Sequence, residues 1–474
     1  MRRLINMVNT KIRINKITLW DLKNVSHGVI DLNAAESLRQ EKANIMGLYG
    51  QNASGKTVVI EALAIIQHIL IGQRIPPHYL ESIANGKDEC SIEIEFAIMD
   101  EDNNFDCIAT YKCTLSKRND PNDNNEPPQK IIAVIYEKLS AQGIAYGKKF
   151  RKQEIAQSDE HDSIISPTAK CDLLFGTNPN VLKKLEQQKI LALYGSRSFI
   201  FSQQVLVTIY EASVERNPSE DALMSWPAMI IMLLRVYAGY KLFVIDERAG
   251  QFNFYMFDKN ETIETPHGIP ILQDNGGGVV KASIENIENL LPSLNTVLSS
   301  IVPSLTLKHK YEKISLDESN ELYRLEFFSH REGIGIIPFR NESLGIKKIV
   351  SFIVLLIEAY NNPGFTLAID EMDSGIFEYL LGEILSIMGS SGKGQLLFTS
   401  HNLCPLEKID SSFVWFSTNN PQKRYAQLTT KATNNLRDMY LRAIHLGADN
   451  NQFYNGDSKH AIAHAFRKMG RREQ

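Results

Sequence analysis

The sequence predicts an α/β fold, and three observations lead to it. A strand-like run, a glycine-rich turn and an apolar helix follow one another in NIMGLYGQNASGKTVVIEALAIIQHIL. Three strand-like segments with polar breaks come next, CSIEIEFAIMD, FDCIATYKCTLS and KIIAVIYEKLSA, as in an antiparallel sheet. Toward the C-terminus strand and helix alternate in FTLAIDE, EYLLGEILSIM and QLLFTSHN, which implies a parallel sheet. The predicted architecture is a parallel sheet carrying the glycine-rich turn, an antiparallel β lobe beside it, and a compact, mainly helical insertion.

Composition sets the outer limits. The 474 residues are 43% hydrophobic and 22% charged, which suits a large globular chain and excludes disordered and collagen-like classes. Basic residues number 51 and acidic 55, a formal net charge of −4, so any contact with nucleic acid has to be local. Cys90, Cys107, Cys113, Cys171 and Cys404 are scattered and never form CxxC, which argues against a disulfide framework or a zinc site and for a reducing cytoplasm. The basic start MRRLINMVNTKIRINK meets polar residues before any apolar run long enough for export. The longest apolar stretches, around 229–240 and 349–360, fall short of the 18 or so residues of a spanning helix. A soluble, cytoplasmic protein with no membrane contact is expected.

Each element has its own signal. KIRINKITLWDL and GVIDL alternate as two short strands leading into NIMGLY. The polar GKKFRKQEIAQSDEHDS reads as a surface crossing. Helical patterns near Asn180–Tyr194, Asp221–Tyr237 and Ser283–Ser300 are interrupted by strand-like KLFVIDE and QFNFYMF and by the loop QDNGGG. Heptads are not sustained, so a long coiled-coil rod is not expected. Strand-like YRLEFFSHREGIGIIPF precedes the helical NESLGIKKIVSFIVLLIEAY, and FVWFST, AQLTT and a helix near Thr433–Leu446 close the pattern. The expected divisions are 1–145 (glycine-rich loop and β lobe), 146–325 (an insertion suited to partner or dimer contacts) and 326–474.

GQNASGKT matches GxxxxGK[ST] at every defined position and lies between a strand and a helix, the context the phosphate loop requires. Gly50 and Gly55 let backbone N–H groups close on phosphates at a helix N-terminus. Lys56 is placed to reach the β- and γ-phosphates, and the Thr57 hydroxyl to ligate magnesium. FTLAIDE sets Asp370 and Glu371 at the C-terminal end of a strand, where ligands bind in open α/β sheets. There Asp370 would hold magnesium and Glu371 polarise the attacking water. LFVIDE ends in a similar pair, Asp246-Glu247, but Arg248 and another strand follow, so it reads as a surface turn. About 30 residues past Glu371, QLLFTS delivers His401, whose imidazole could sense a γ-phosphate. NESLGIKK carries Ser343 and Gly345 just before an apolar helix, where Ser343 can act as cap.

Taken together, GLYGQNASGKT, ESLGIKK, FTLAIDEMDSG and FTSHN resemble the ABC-class ATPases of the RecF, SMC and OLD group. The resemblance implies a head-to-tail homodimer, or a higher even-numbered oligomer, sandwiching ATP and Mg2+. Gly50, Asn52, Ser54, Gly55, Lys56, Thr57, Asp370, Glu371 and His401 would act in cis, Ser343 and Gly345 on the partner's γ-phosphate, and Asp373 in a turn crossing the interface. The sequence departs from the wider pattern in its short SLG, in Met372 where many members have proline, and in its unidentified magnesium glutamine. For that glutamine Gln203 is the candidate, with Gln204 beside it.

OLD-type nuclease domains need a glutamate and a DxD pair. Asp100-Glu101-Asp102 spells DxD but sits between strand-like segments as a hairpin turn, so no fused nuclease is expected. The chain therefore looks like the sensor or scaffold ATPase of an anti-phage system such as Septu, paired with a separately encoded nuclease or toxin. A RecF-like repair ATPase binding DNA directly is the alternative; its basic residues would be the tail Lys459, Arg467, Lys468, Arg471 and Arg472. A non-hydrolysing ATP-gated scaffold is a further one, against which Glu371 speaks.

Overall fold

The structure is a computed structural model, and it describes residues 10–100, 105–120, 123, 128–161, 164–216, 224–246, 253–257, 266–270, 278–314, 321–427, 436–446, 464 and 466–469. Strands β1 (Lys11–Leu22) and β2 (Val25–Asp31) form a hairpin, and helix α1 (Ala34–Arg39) leads to β3 (Asn44–Tyr49) and α2 (Lys56–Leu70). Next come β4 (Glu89–Met99), β5 (Phe105–Asn119), β6 (Lys130–Ala145) and β7 (Lys148–Asp159). Helices α3 (Thr168–Phe175), α4 (Pro179–Tyr194), α5 (Gln203–Arg216) and α6 (Trp226–Tyr240) precede β8 (Leu242–Ile245). The chain continues through β9 (Asn253–Phe257), β10 (Pro266–Pro270), β11 (Gly278–Val280), α7 (Lys281–Ile301), β12 (Thr306–Lys313), β13 (Leu322–Arg331) and β14 (Gly335–Pro338). Then follow α8 (Leu344–Asn361), β15 (Thr366–Ile369), α9 (Glu378–Ser391), β16 (Gln395–Ser400), β17 (Val414–Ser417), β18 (Tyr425–Ala426) and α10 (Leu436–Leu446).

The α/β class is as expected. The central sheet has the order β18-β17-β3-β16-β15-β8 and is parallel except at β18. NIMGLY, TLAI and QLLFTS are buried at every position, because a parallel sheet covered on both faces excludes water from both sets of side chains. Met46, Leu48 and Ala368 face α2 and the β lobe, while Ile45, Tyr49, Leu367 and Ile369 face α8 and α9. Helix α2 lies between the two sheets, which is why its sequence is apolar nearly all round.

The β lobe is a six-stranded antiparallel sheet, β2-β1-β4-β5-β6-β7. The polar 148–159 segment is its last strand rather than a surface crossing: as an edge strand it needs little apolar surface, and β6 supplies its backbone partners. Two buried polar side chains clamp the lobe to the N-terminal ends of the central strands. Arg13 on β1 donates to Pro363 O at 2.9 Å and Lys42 O at 2.8 Å, and Gln395 on β16 pairs with the backbone of Ile14 at 3.0 and 2.7 Å. The C-terminal ends of the strands are thereby left to form a site.

The middle region is mainly helical, and its strands tie it to the rest of the chain. Its helices occur near the expected places, but β7 completes the lobe, β8 joins the central sheet, and β11, β12, β13 and β14 form a small sheet of their own. LFVI is short and apolar, and a vacant edge beside β15 is where such a strand loses most water. SFIFS is not a strand; it is a buried turn into α5. Glu101, Asp102, Glu247, Arg248, most of QDNGGG, Lys459, Arg471 and Arg472 lie outside the described residues, whereas Asp100 closes the β4–β5 turn by accepting from Phe105 N at 2.9 Å.

Candidate functional site

The glycine-rich loop leaves β3 at its C-terminal end and enters α2. Gly50 has φ 154°, and a Cβ there would meet Ser417 Oγ at 1.9 Å, so only glycine lets the loop pass β17. Gly55, at φ 91°, caps α2, and Tyr425 OH donates to its carbonyl at 2.7 Å. The Ser54 hydroxyl donates to Gln51 O at 2.6 Å, holding the loop closed. Lys56 donates to Gly50 O at 2.9 Å and Gln51 O at 2.8 Å. Burial holds its ammonium down at about 8, against the opposing pull of Asp370 and Glu371. The loop forms one wall of a cavity of about 520 Å³, which Asn52 also lines.

The opposite wall comes from the ends of β15 and β16. Thr399 Oγ donates to Asp370 Oδ1 at 2.5 Å and accepts from Glu371 N at 2.8 Å. Thr57 Oγ donates to the same Asp370 oxygen at 3.3 Å. The other oxygen, Oδ2, is buried without a partner on a residue 2% exposed, and burial raises the carboxyl's pKa. An orphaned carboxylate oxygen next to a threonine hydroxyl fits a divalent cation, which supplies the missing positive charge. Among the described residues no three His, Cys, Asp or Glu side chains form a metal site by themselves, so such an ion would complete its shell with phosphate oxygens and water.

Glu371 sits in the left-handed region at φ 45°, a conformation that costs a non-glycine residue of order 1 kcal/mol. Its turn projects the carboxylate over the cavity, 3.8 Å from His401 Nε2. Burial, and then the charge of Lys56, lowers the His401 pKa. Asp373 Oδ2 accepts from His401 N at 3.0 Å and Asn402 N at 2.9 Å, coupling the two turns.

Ser343 and Gly345 lie outside this cavity. Ser343 Oγ caps α8 by accepting from Ile346 N at 3.4 Å. Gly345 packs on the Glu371–Gly375 turn so closely that a Cβ would sit 1.8 Å from Gly375 O. Lys348 on the next helical turn donates to the Glu371 carbonyl. Beside them Leu344, Phe377 and Tyr379 are more than half exposed, an apolar face next to the Asp373 turn.

Two expectations are corrected. Gln203 and Gln204 do not reach the site: they line a second cavity, of about 840 Å³, with Gly72, Arg74 and Arg235 at the C-terminal end of α2. The 15 residues of α2 put about 22 Å between that end and the phosphate loop. Because SFIFS is a turn and not a strand of the central sheet, it cannot deliver a glutamine to the strand ends. Conversely Asp246 is not on a surface turn: it is 7% exposed and lines the loop cavity beside Asp370. The repeated Ile-Asp-Glu was the available signal. Lys23 and Asn24, in the β1–β2 turn, also line the cavity and carry no signal in the sequence, since a lobe turn comes over the loop only through the packing of two sheets.

No protein-family model and no curated protein matches the chain. Solved structures similar to it at low identity include a Pyrococcus furiosus Smc head domain with an extended coiled coil, bound to the C-terminal domain of ScpA. That structure is 11% identical with a TM-score of 0.42, covering 92% of this chain and 100% of that one. The Thermotoga maritima SMC head domain is 13% identical with a TM-score of 0.34, covering 88% and 100%. The recombination mediator RecF with ATP is 13% identical with a TM-score of 0.38, covering the same shares. Among the described residues no helix is long and apolar enough to cross a membrane.

Proposed function

We propose that the chain is an ABC-class ATPase that binds ATP with Mg2+ at the loop cavity and hydrolyses it. The observation that carries this reading is that Asp370, one of whose carboxylate oxygens is buried and unpartnered, lines the same cavity as Thr57, Lys56 and the glycine-rich loop. Loop N–H groups and the α2 N-terminus would cradle the phosphates. Lys56, now bonded to two loop carbonyls, would exchange them for phosphate oxygens. Thr57 and Asp370 would hold the magnesium, whose chemistry when bound is to neutralise phosphate charge. Glu371, which follows the cation-holding aspartate and lies 3.8 Å from His401, would accept the proton of the attacking water, and His401 would donate to the γ-phosphate.

Ser343, Gly345 and Asp373 would meet ATP across a head-to-tail pair, a reading the exposed Leu344, Phe377 and Tyr379 beside them support. In that pair the γ-phosphate joins two copies only while it is present, so hydrolysis opens them. The biological role proposed is the sensor or scaffold ATPase of an anti-phage system that holds or releases a separately encoded nuclease or toxin.

The test is a pair of variants with separate readouts. Lys56→Ala should abolish ATP binding by calorimetry. Glu371→Gln should keep binding, lower turnover by about 10²–10⁴-fold and trap a closed dimer in gel filtration with ATP. Normal turnover in either variant overturns the assignment. Recovering Glu371→Gln with ATP from its native host should bring down a stoichiometric effector; DNA with repair proteins and no effector would favour the RecF-like role.

A further inference from the structure

The cavity contains a second buried carboxylate that the chemistry above leaves unused. Asp246 ends β8, and Asp370 ends β15. The two strands are parallel neighbours with Ile245 in register with Ile369. Both aspartates therefore leave the sheet at the same level, on strands about 4.8 Å apart, and Asp370 N donates to Ile245 O at 3.0 Å. Tyr79 OH donates to Asp246 Oδ2 at 3.4 Å, on the side of the lobe. Both aspartates line the one cavity, and one oxygen of Asp370 has no hydrogen-bond partner.

The charge balance of the lining is acidic. Three carboxylates, Asp246, Asp370 and Glu371, line it with two ammonium groups, Lys56 and Lys23. A cavity in that state repels a cation-free triphosphate, while it accepts the same nucleotide with a divalent cation attached. Mg2+ is commonly held by one or two carboxylates plus substrate phosphates, the donor set that Asp370, Asp246 and a bound nucleotide would provide.

We propose that Asp246 is a second carboxylate ligand of the nucleotide-bound divalent cation, taking the role that the resemblance gives to a glutamine. Its charge makes ATP binding obligatorily cation-coupled. This inference rests on the cavity being the ATP site, and it adds a ligand from the edge strand that the loop and FTLAIDE do not supply.

The experiment is calorimetric titration of ATP into the full chain with Mg2+ and with EDTA, in wild type and Asp246→Asn. A companion titration of Mn2+, followed by electron paramagnetic resonance, uses a non-hydrolysable ATP analogue. Wild-type ATP affinity should fall by about 50-fold or more without cation, and in Asp246→Asn the ratio should shrink to below about 10-fold. The Mn2+ dissociation constant should rise by about tenfold in the variant. Tyr79→Phe keeps the carboxylate and removes its lobe-side donor, and should leave the ratio within about twofold of wild type.

A ratio and a Mn2+ affinity unchanged in Asp246→Asn overturn the proposal, as does a Tyr79→Phe protein that reproduces the Asp246→Asn shift, since the aspartate would then act only through lobe packing. Should Asp246→Asn not fold, Asp246→Glu takes its place: it keeps the charge, so the EDTA arm stays weak, while the displaced carboxylate weakens Mn2+. Wild-type protein that binds ATP under neither condition would instead sink the ATP-site reading, an outcome distinct from all of these.

Discussion

Strands β8 and β15 lie side by side and end in the same letters, Ile-Asp-Glu at 245–247 and 369–371, yet their surroundings differ. β15 is interior: β16 on one side brings Thr399 to Asp370 and Glu371, and the phosphate-loop helix brings Thr57. β8 is the edge strand, and Asp246 finds Tyr79 of the lobe. Identical motifs acquire different work from their position in the sheet, because neighbouring strands supply the donors that orient a carboxylate.

The largest expected effect breaks the interior member. Asp370→Asn removes the carboxylate that two threonines orient, and with it several kcal/mol of charge stabilisation, so turnover should fall by about 1000-fold. Steady-state phosphate release by Asp370→Asn and Asp246→Asn, compared at saturating Mg2+, ranks the two strands. Equal losses would show the edge aspartate to be as central as the interior one.

Thr399→Val sharpens the same contrast, because Thr399 reaches Asp370 at 2.5 Å where Tyr79 reaches Asp246 at 3.4 Å. The substitution keeps the shape, strips a hydroxyl from Asp370 and leaves Glu371 N without its acceptor. A stability loss of about 1–3 kcal/mol in chemical denaturation is expected, together with about tenfold weaker Mn2+ binding. Stability lost with Mn2+ affinity intact would mean that Thr399 supports the turn but does not orient the ligand.

Much of this arrangement was legible in the sequence, and the gaps have physical causes. The phosphate loop, FTLAIDE and FTSHN were readable because glycine, lysine and carboxylates at strand ends are demanded by local backbone chemistry, and the structure brings them to one cavity. Buried parallel strands also announce themselves, as NIMGLY and QLLFTS do. LFVIDE reads as a surface turn because it has no local feature separating an edge strand of the sheet from a surface hairpin; only the docking of β8 on β15, across 120 residues of sequence, decides it. Gln203 failed for the converse reason, since SFIFS has strand composition but turns against the far end of α2. Lys23 and Asn24 depend wholly on one sheet packing over another, and no periodicity encodes that.

The smallest expected effect separates anchoring from binding at the edge. Tyr79 is nearly buried, and its phenol reaches Asp246 over 3.4 Å, a long bond that Tyr79→Phe removes without emptying the ring's place in the core. Because the lost donor is neutral and the bond long, the stability loss should be about 0.5–1 kcal/mol by chemical denaturation. The equivalent loss at the interior strand, where Thr399 bonds at 2.5 Å and also holds Glu371 N, should be larger. A Tyr79→Phe loss as large as that of Thr399→Val would mean that the lobe, and not the central sheet, fixes the geometry of the site, and the ranking of edge below interior would have to be reversed.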